Sequence, residues 1–231
     1  MQGEAIDQHT GGLRALLSSP MLFDFMQNLV GADGLRKTYV REYVRPVPGA
    51  RILDIGCGTA AILDYLPQEV EYEGYDLSAR YIEHARKKYG PRGRFFCERV
   101  SGLSLREPHR FDIVLASGVL HHLNDDEAGD LFKVAALGLR PSGVLITHDN
   151  VYVEGQSRMA RYLISKDRGS HVRTPAQYEA LARSVFSHAE TATRHDLLRI
   201  PYTHFFMRCS LQRDGLQHLA PGGGPEGEAG V

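Results

Sequence analysis

The chain reads as an α/β fold built on a mostly parallel sheet, and three observations carry that reading. Short apolar runs alternate with amphipathic helical stretches from residue 51 onward, the order that strand and crossover-helix units produce. The run Arg51-Ile52-Leu53-Asp54-Ile55 ends in Gly56-Cys57-Gly58, a strand feeding a tight glycine turn before a helical pattern. Asp76 closes the next apolar run, where a carboxylate suits a ribose hydroxyl pair.

Taken in order, residues 1–18 are polar and glycine-bearing and are expected to be a flexible N-terminus. Residues 19–218 are expected to form one domain, opening with helices over 19–45. Ser19-Pro20 reads as a cap and first helical residue, and Leu22, Phe25, Met26 and Leu29 as one apolar stripe. A second helix is expected from Leu35 to Val44, with Leu35, Tyr39, Val40 and Tyr43 facing the core, before Pro46, Pro48 and Gly49 end it. Five strands follow at 51–55, 70–75, 94–97, 111–116 and 144–147. Ser78 and Asn124 are expected helix caps, and Pro141-Ser142-Gly143 turns the chain into the fifth strand. The stretch 149–173 reads as a lid insertion at the carboxyl edge of the sheet, with a short helix over 156–165. Thr174-Pro175 then caps a helix to about Phe186, two strands are expected at 190–198 and 203–211, and 219–231 has the composition of a disordered tail.

With 231 residues, 42% of them hydrophobic, the chain can fill one sizeable core. A net charge of -1 and a pI near 6.8 supply no global pull toward nucleic acid or an anionic membrane. Cys57, Cys97 and Cys209 are odd in number and widely spaced, which argues against a disulfide framework or a zinc site. No apolar run approaches the roughly 20 residues that span a bilayer, so a cytoplasmic location is expected.

Two cofactors can claim the glycine turn. Gly56, Gly58 and Ala61 match a dinucleotide fingerprint with Asp76 as the ribose acid, which would make the chain a nicotinamide (NAD) oxidoreductase. Asp54 argues the other way. A carboxylate there repels a pyrophosphate, whereas S-adenosylmethionine has no phosphate and carries an ammonium and a sulfonium.

The motifs Leu53-Asp54-Ile55-Gly56-Cys57-Gly58-Thr59, Asp76 and Val119-Leu120-His121-His122-Leu123 make the chain resemble the class I S-adenosylmethionine-dependent methyltransferases, over roughly residues 35–211. That resemblance implies a Rossmann-like, doubly wound, seven-stranded, mostly parallel sheet, closed by a C-terminal antiparallel strand and covered by a small helical cap. It implies methyl transfer from S-adenosylmethionine, and departs from the family where Ala60 stands for a glycine and Val100 for an acid that holds adenine. The cofactor set it implies is Asp54, Gly56, Cys57 and Gly58 for the methionine part, Asp76 and Leu77 for the ribose and its surroundings, Val100 and Ser101 for the base, and Ala116, Ser117 and His121 as enclosing residues.

Methyl transfer is an in-line displacement driven mainly by positioning, with a base needed only for a weak nucleophile. The expected acceptor is a small molecule, methylated at oxygen, and the base candidates are His148, where the fifth strand opens into the lid, and His171. Tyr152, Arg158, Arg161, Tyr162 and Arg168 in the lid are candidate acceptor-binding residues, and Arg173 and Lys166 belong to the same basic gathering. Guanidinium forks there would suit an acidic acceptor, while the opposite reading is a solvated face. Asp149-Asn150 is similar to part of the magnesium site of catechol-type enzymes, but Ser117 and Gly118 occupy the place of the further acid, so no metal is expected. A non-catalytic cofactor-binding module of the same fold is the remaining alternative.

Overall fold

The computed structural model describes residues 30–102, 105, 108–167 and 169–211. The expected helix from Ser19, the flexible N-terminus, the 219–231 tail and Arg168 lie outside the described residues. Seven strands form one sheet in the order β3-β2-β1-β4-β5-β7-β6. They are β1 (Arg51–Ile55), β2 (Glu71–Tyr75), β3 (Gly93–Phe96), β4 (Phe111–Ser117), β5 (Leu139–Asn150), β6 (His188–Arg194) and β7 (His204–Ser210). β1 to β5 pair in parallel, and β7 runs antiparallel to both β5 and β6. Strand order reverses between β1 and β4, which opens a crevice outside their carboxyl ends.

Each face of the sheet buries its own core because side chains alternate along every strand. One face carries Ile52, Tyr72, Ile113, Ile146 and Phe206 under α1 (Ala32–Thr38) and its continuation, and under α2 (Ala79–Tyr89). The other carries Leu53, Val114, Leu145, Phe205 and Met207 against α3 (Asp125–Gly138) and α5 (Pro175–Arg183). The lid helix α4 (Arg158–Ser165) buries Ala160 and Ile164. Local chemistry starts the helices where expected. Ser78 accepts from Tyr81 N–H, and Asn124 with Glu127 and Thr174 with Gln177 make reciprocal capping boxes.

Three local expectations need correction. The helix expected to run to Val44 widens into a π turn over Tyr39–Val44, which buries Tyr39, Val40, Tyr43 and Val44 together, and Tyr43 stacks on Phe206 with ring centroids 4.0 Å apart. Pro141-Ser142-Gly143 does not precede the fifth strand but lies within it. Pairing passes from Phe111↔Leu139 to Ile113↔Val144, so the turn residues are a bulge in a strand that begins at Leu139. The helix after the glycine turn is one 3-10 turn, Ala61–Asp64.

Candidate functional site

The crevice at the strand reversal is shaped first by backbone. Gly56 N–H and Cys57 N–H both donate to the Tyr75 carbonyl, at 2.8 and 3.0 Å, which folds the loop after β1 onto the end of β2. Gly56 has φ +74°, and a side chain there would strike Val119 Cγ2 at 2.5 Å, so only glycine lets the ends of β1 and β4 approach. At Gly58, φ is +54° and a Cβ would meet nothing within 4 Å, leaving a cradle that a ligand can enter. Ala60 also has positive φ, +57°, and is fully buried. The glycine usual at this place in the family that the sequence resembles is therefore replaced in left-handed backbone, where an L side chain is strained.

Asp76 is a structural clamp on this loop. Oδ2 accepts Gly58 N–H at 2.9 Å and Oδ1 accepts Ser78 N–H at 2.8 Å, and each oxygen keeps a second lone pair. Leu77 beside it is 67% exposed, an apolar side chain left open next to the clamp. Asp54 is buried and accepts from the Tyr72 hydroxyl at 2.6 Å. Burial raises its pKa from 3.8 to about 7, with the Tyr72 bond working against that shift and Asp76 adding to it. A buried carboxylate with this burden gains from a cationic partner, and the open cradle with an acid on either side fits an amino acid joined to a nucleoside.

The other expected cofactor residues divide. The Cys57 thiol packs over Gly74 and burial pushes its pKa up, while its N–H is held by the Tyr75 carbonyl and its own carbonyl accepts Ala60 N–H at 2.9 Å. Val100 puts its side chain into the core beneath α3, with Ser101 half-buried after it. Ala116 is fully buried, whereas Ser117 is half-buried and donates its hydroxyl to Tyr39 at 3.0 Å. His121 is not an open wall of the crevice. Its Nδ1 lies 2.8 Å from Oδ1 of Asp149, its N–H donates to the same oxygen at 3.2 Å, and its carbonyl accepts His171 N–H at 2.9 Å.

The two base candidates fall on opposite faces. His148 sits on the α1 side, stacked on Phe206 at 4.7 Å and 5.7 Å from Tyr39, with Nε2 2.9 Å from Nδ1 of His204. Burial holds its pKa well below the usual 6.5, with the neighbouring histidines adding to that, so the ring is neutral at physiological pH. His171 is exposed and lines a cleft between the start of α3 and α5, together with Asp125, Arg173 and Gln177.

The lid is fastened at both faces of the strand it follows. Asn150 Nδ2 donates to Asp167 Oδ2 at 2.9 Å and to Tyr202 at 3.0 Å, and the Tyr202 hydroxyl donates to Asp167 at 2.5 Å. On the other face Gly169 packs so tightly on His121 that a Cβ would meet its ring at 2.1 Å. Arg173, grouped by sequence with an acceptor-binding patch, is buried. It holds Asp125 and donates to the carbonyls of Leu120, Leu123 and His171. Arg158 is exposed, Arg161 lies over the Tyr152 ring at 4.8 Å, and Lys166 lies 5.6 Å from the Tyr162 ring, which is itself 56% exposed. Asp149 and Asn150 are engaged within the protein, and among the described residues no group of three acidic, histidine or cysteine side chains could hold a metal. No helix among the described residues is long and apolar enough to cross a membrane.

Sequence reasoning missed Tyr39, Tyr202, His204 and Asp167 as members of this edge. The signal for His204 was available in principle, since a strand ending opposite Asn150 must present it on the face of His148.

Comparison with known proteins agrees with this fold. Residues 52–143 match the family model described as "Methyltransferase domain". N-terminal Xaa-Pro-Lys N-methyltransferase 1 of Xenopus tropicalis is 29% identical over 133 residues, 55% of this chain and 55% of that protein. The chain thus spans about half the length of such relatives. A S-adenosylmethionine (SAM) dependent methyltransferase from Archaeoglobus fulgidus superposes with a TM-score of 0.62 at 16% identity, covering 81% of this chain and 99% of that one. A Haemonchus contortus phosphoethanolamine N-methyltransferase 2, solved with phosphomonomethylethanolamine and S-adenosylhomocysteine, gives 0.66 at 15% identity, covering 84% and 58%. At these identities the two structures speak for the fold.

Proposed function

We propose that this chain, which carries a domain of the class I S-adenosylmethionine-dependent methyltransferases, transfers a methyl group to an oxygen of a small-molecule acceptor. S-adenosylmethionine is the cofactor of that family, so the nicotinamide reading of the glycine turn falls away. When bound it supplies an electrophilic methyl on sulfur. The residues proposed to hold it are the Gly56 to Gly58 backbone with Asp54 for the methionine ammonium, Asp76 for the ribose hydroxyls, and Leu77, Val100 and Ser101 around the base. The observation that supports this best is Asp76, whose carboxylate is fixed by two backbone N–H groups with lone pairs to spare at the mouth of an open glycine cradle.

On the acceptor side, half-buried His148 beside Ser117 is proposed as the base. Register pairs Ser117 with His148, so the ring stands next to the β4 end that borders the cradle. A neutral imidazole can take the proton of a hydroxyl as its oxygen attacks, and Tyr39, His204 and Phe206 pack round the ring. His171, on the opposite face, is not retained in that role. Exposed Arg158 and Arg161 at the lid are proposed to meet an acidic substituent on the acceptor.

Incubation with methyl-labelled S-adenosylmethionine and fractionated cell extract, followed by identification of the labelled product, tests this. Labelled small molecules are expected. Label confined to protein amino termini would instead favour the kind of acceptor named in the Xenopus relative. Cofactor binding with no transfer to any fraction would leave a binding module.

A further inference from the structure

The lid insertion is closed at its own root and laid along the chain that leaves β4. Tyr152 N–H donates to the Arg173 carbonyl at 3.1 Å, which joins the two ends of the insertion. Residues 169–173 then run against residues 118–125, the connection from β4 into α3. His171 N–H donates to the His121 carbonyl at 2.9 Å. Gly169 lies so close that a Cβ on it would sit 2.7 Å from that carbonyl oxygen and 2.1 Å from the His121 ring.

Arg173 makes the fullest contact, since every N–H of its guanidinium has an acceptor. Nη1 donates to the carbonyls of Leu120 and His171, at 2.9 and 3.1 Å, and Nη2 donates to the Leu123 carbonyl at 2.8 Å. Nε and Nη2 both donate to Asp125 Oδ1, at 3.0 and 2.7 Å. Arg173 is 6% exposed, so these bonds are made largely away from water. The lid root therefore supplies donors to the carbonyls of Leu120, His121 and Leu123.

The same connection borders the glycine cradle at its other end. Gly118 N–H is held by the His148 carbonyl at 2.6 Å, and Val119 packs on Gly56, the first glycine of the turn. Between the two ends, Asp149 fixes His121 to β5 through its N–H and its ring. One braced length of chain thus has the cradle at one end and the lid root at the other. Order imposed at either end favours order at the opposite one.

We propose that Gly169, His171 and Arg173 are positioning residues for the cofactor site, which hold residues 118–125 against the cradle, and that the lid root closes more firmly when S-adenosylmethionine is bound. The coupling rests on the reading that puts the cofactor at Gly56 to Gly58.

Residue-resolved amide exchange of the full chain, with and without S-adenosylhomocysteine, reads the lid root through the N–H groups of His171 and Tyr152. Glu71 N–H, bonded to the Ala50 carbonyl at the amino end of the strands, is the reference. S-adenosylhomocysteine is expected to slow exchange at His171 and Tyr152 about tenfold, and at Glu71 little. Gly169→Ala pushes the lid root off His121 without altering the cradle. It should speed exchange at His171 and weaken S-adenosylhomocysteine about three- to tenfold in calorimetry, with Glu71 unmoved to report a folded chain. Reciprocity sets a ceiling, because the loss of affinity cannot exceed the factor by which the ligand slows His171 in the native chain. Arg173→Lys keeps the charge but has fewer donors, and should move both readouts in the same direction. Exchange at His171 indifferent to S-adenosylhomocysteine would overturn the coupling. So would Gly169→Ala with His171 freed and affinity unchanged, the result of a lid root that only braces the fold. Native affinity in Asp76→Asn would instead sink the placing of the cofactor, on which the exchange measured in the native chain does not depend.

Discussion

The cofactor edge and the acceptor edge of this sheet are built in opposite ways. The first uses residues close in sequence. Gly56, Cys57 and Gly58 turn over a span of three, and Asp76 and Ser78 reach them from the next strand end, largely through backbone N–H groups and one carboxylate. The second gathers Tyr39, Ser117, His148, Asp167, Tyr202 and His204 from five separate segments, through side chains on both partners. A site made of backbone geometry tolerates few sequences and leaves a short motif. A site made of side chains brought together by packing leaves none.

That contrast predicts separable damage. Arg173→Met should have the largest effect, a loss of about 2 to 4 kcal/mol of stability in denaturant unfolding, because the carbonyls of Leu120, Leu123 and His171 lose a buried charged donor at once. Faster amide exchange concentrated in residues 169–173 and 120–125 would place that damage at the lid root. Asp76→Asn should follow. The amide turns a donor toward either Gly58 N–H or Ser78 N–H, and S-adenosylhomocysteine affinity is expected to fall tenfold to a hundredfold in calorimetry, about 1.4 to 2.7 kcal/mol. An unchanged dissociation constant would show that the clamp serves the fold alone.

Asp54→Asn probes the cost of keeping an acid under the cradle. Its folded pKa, about 7, lies above the ordinary 3.8, so the folded chain binds more protons than the unfolded chain between those values. Stability from this group is therefore present at low pH and is lost as pH rises from about 4 to 7. The amide variant should show no such loss from this position, and above pH 7 it should be more stable than the native chain, on the order of 2 kcal/mol, while binding cofactor more weakly. Thermal melts at pH 4.5 and 8 without ligand check the sign, and a native advantage at pH 8 would contradict it.

Ala60→Gly should matter least. Relief of left-handed strain, about 1 to 2 kcal/mol, is offset by the buried methyl, about 0.8 kcal/mol, and by the freer unfolded chain, so stability should shift by less than about 1 kcal/mol. A larger change in cofactor affinity than in stability would mean that this methyl narrows the cradle.

Much of the fold was legible because its signals are local. Strand positions came from apolar runs bounded by turns, and Ser78, Asn124 and Thr174 announced three helices through caps that act within one turn. The π turn at Tyr39–Val44 was not legible, since what favours it is the sheet face above which four side chains must bury. The bulge at 141–143 was read as a turn for a related reason. Pro-Ser-Gly does turn the chain, and only pairing on both sides with β4 makes it an excursion within a strand.

The site divides along the same line. Sequence by itself determined the glycine turn and the places of Asp54 and Asp76 at strand ends, because left-handed backbone and a strand-end carboxylate are fixed by residue type and spacing. Only the tertiary structure decided that His121 is tied to Asp149, that Arg173 is a buried brace, and that His148 has His204 for a partner. Those are choices among many chemically similar side chains, and they are made by which strands lie side by side and which face each residue presents.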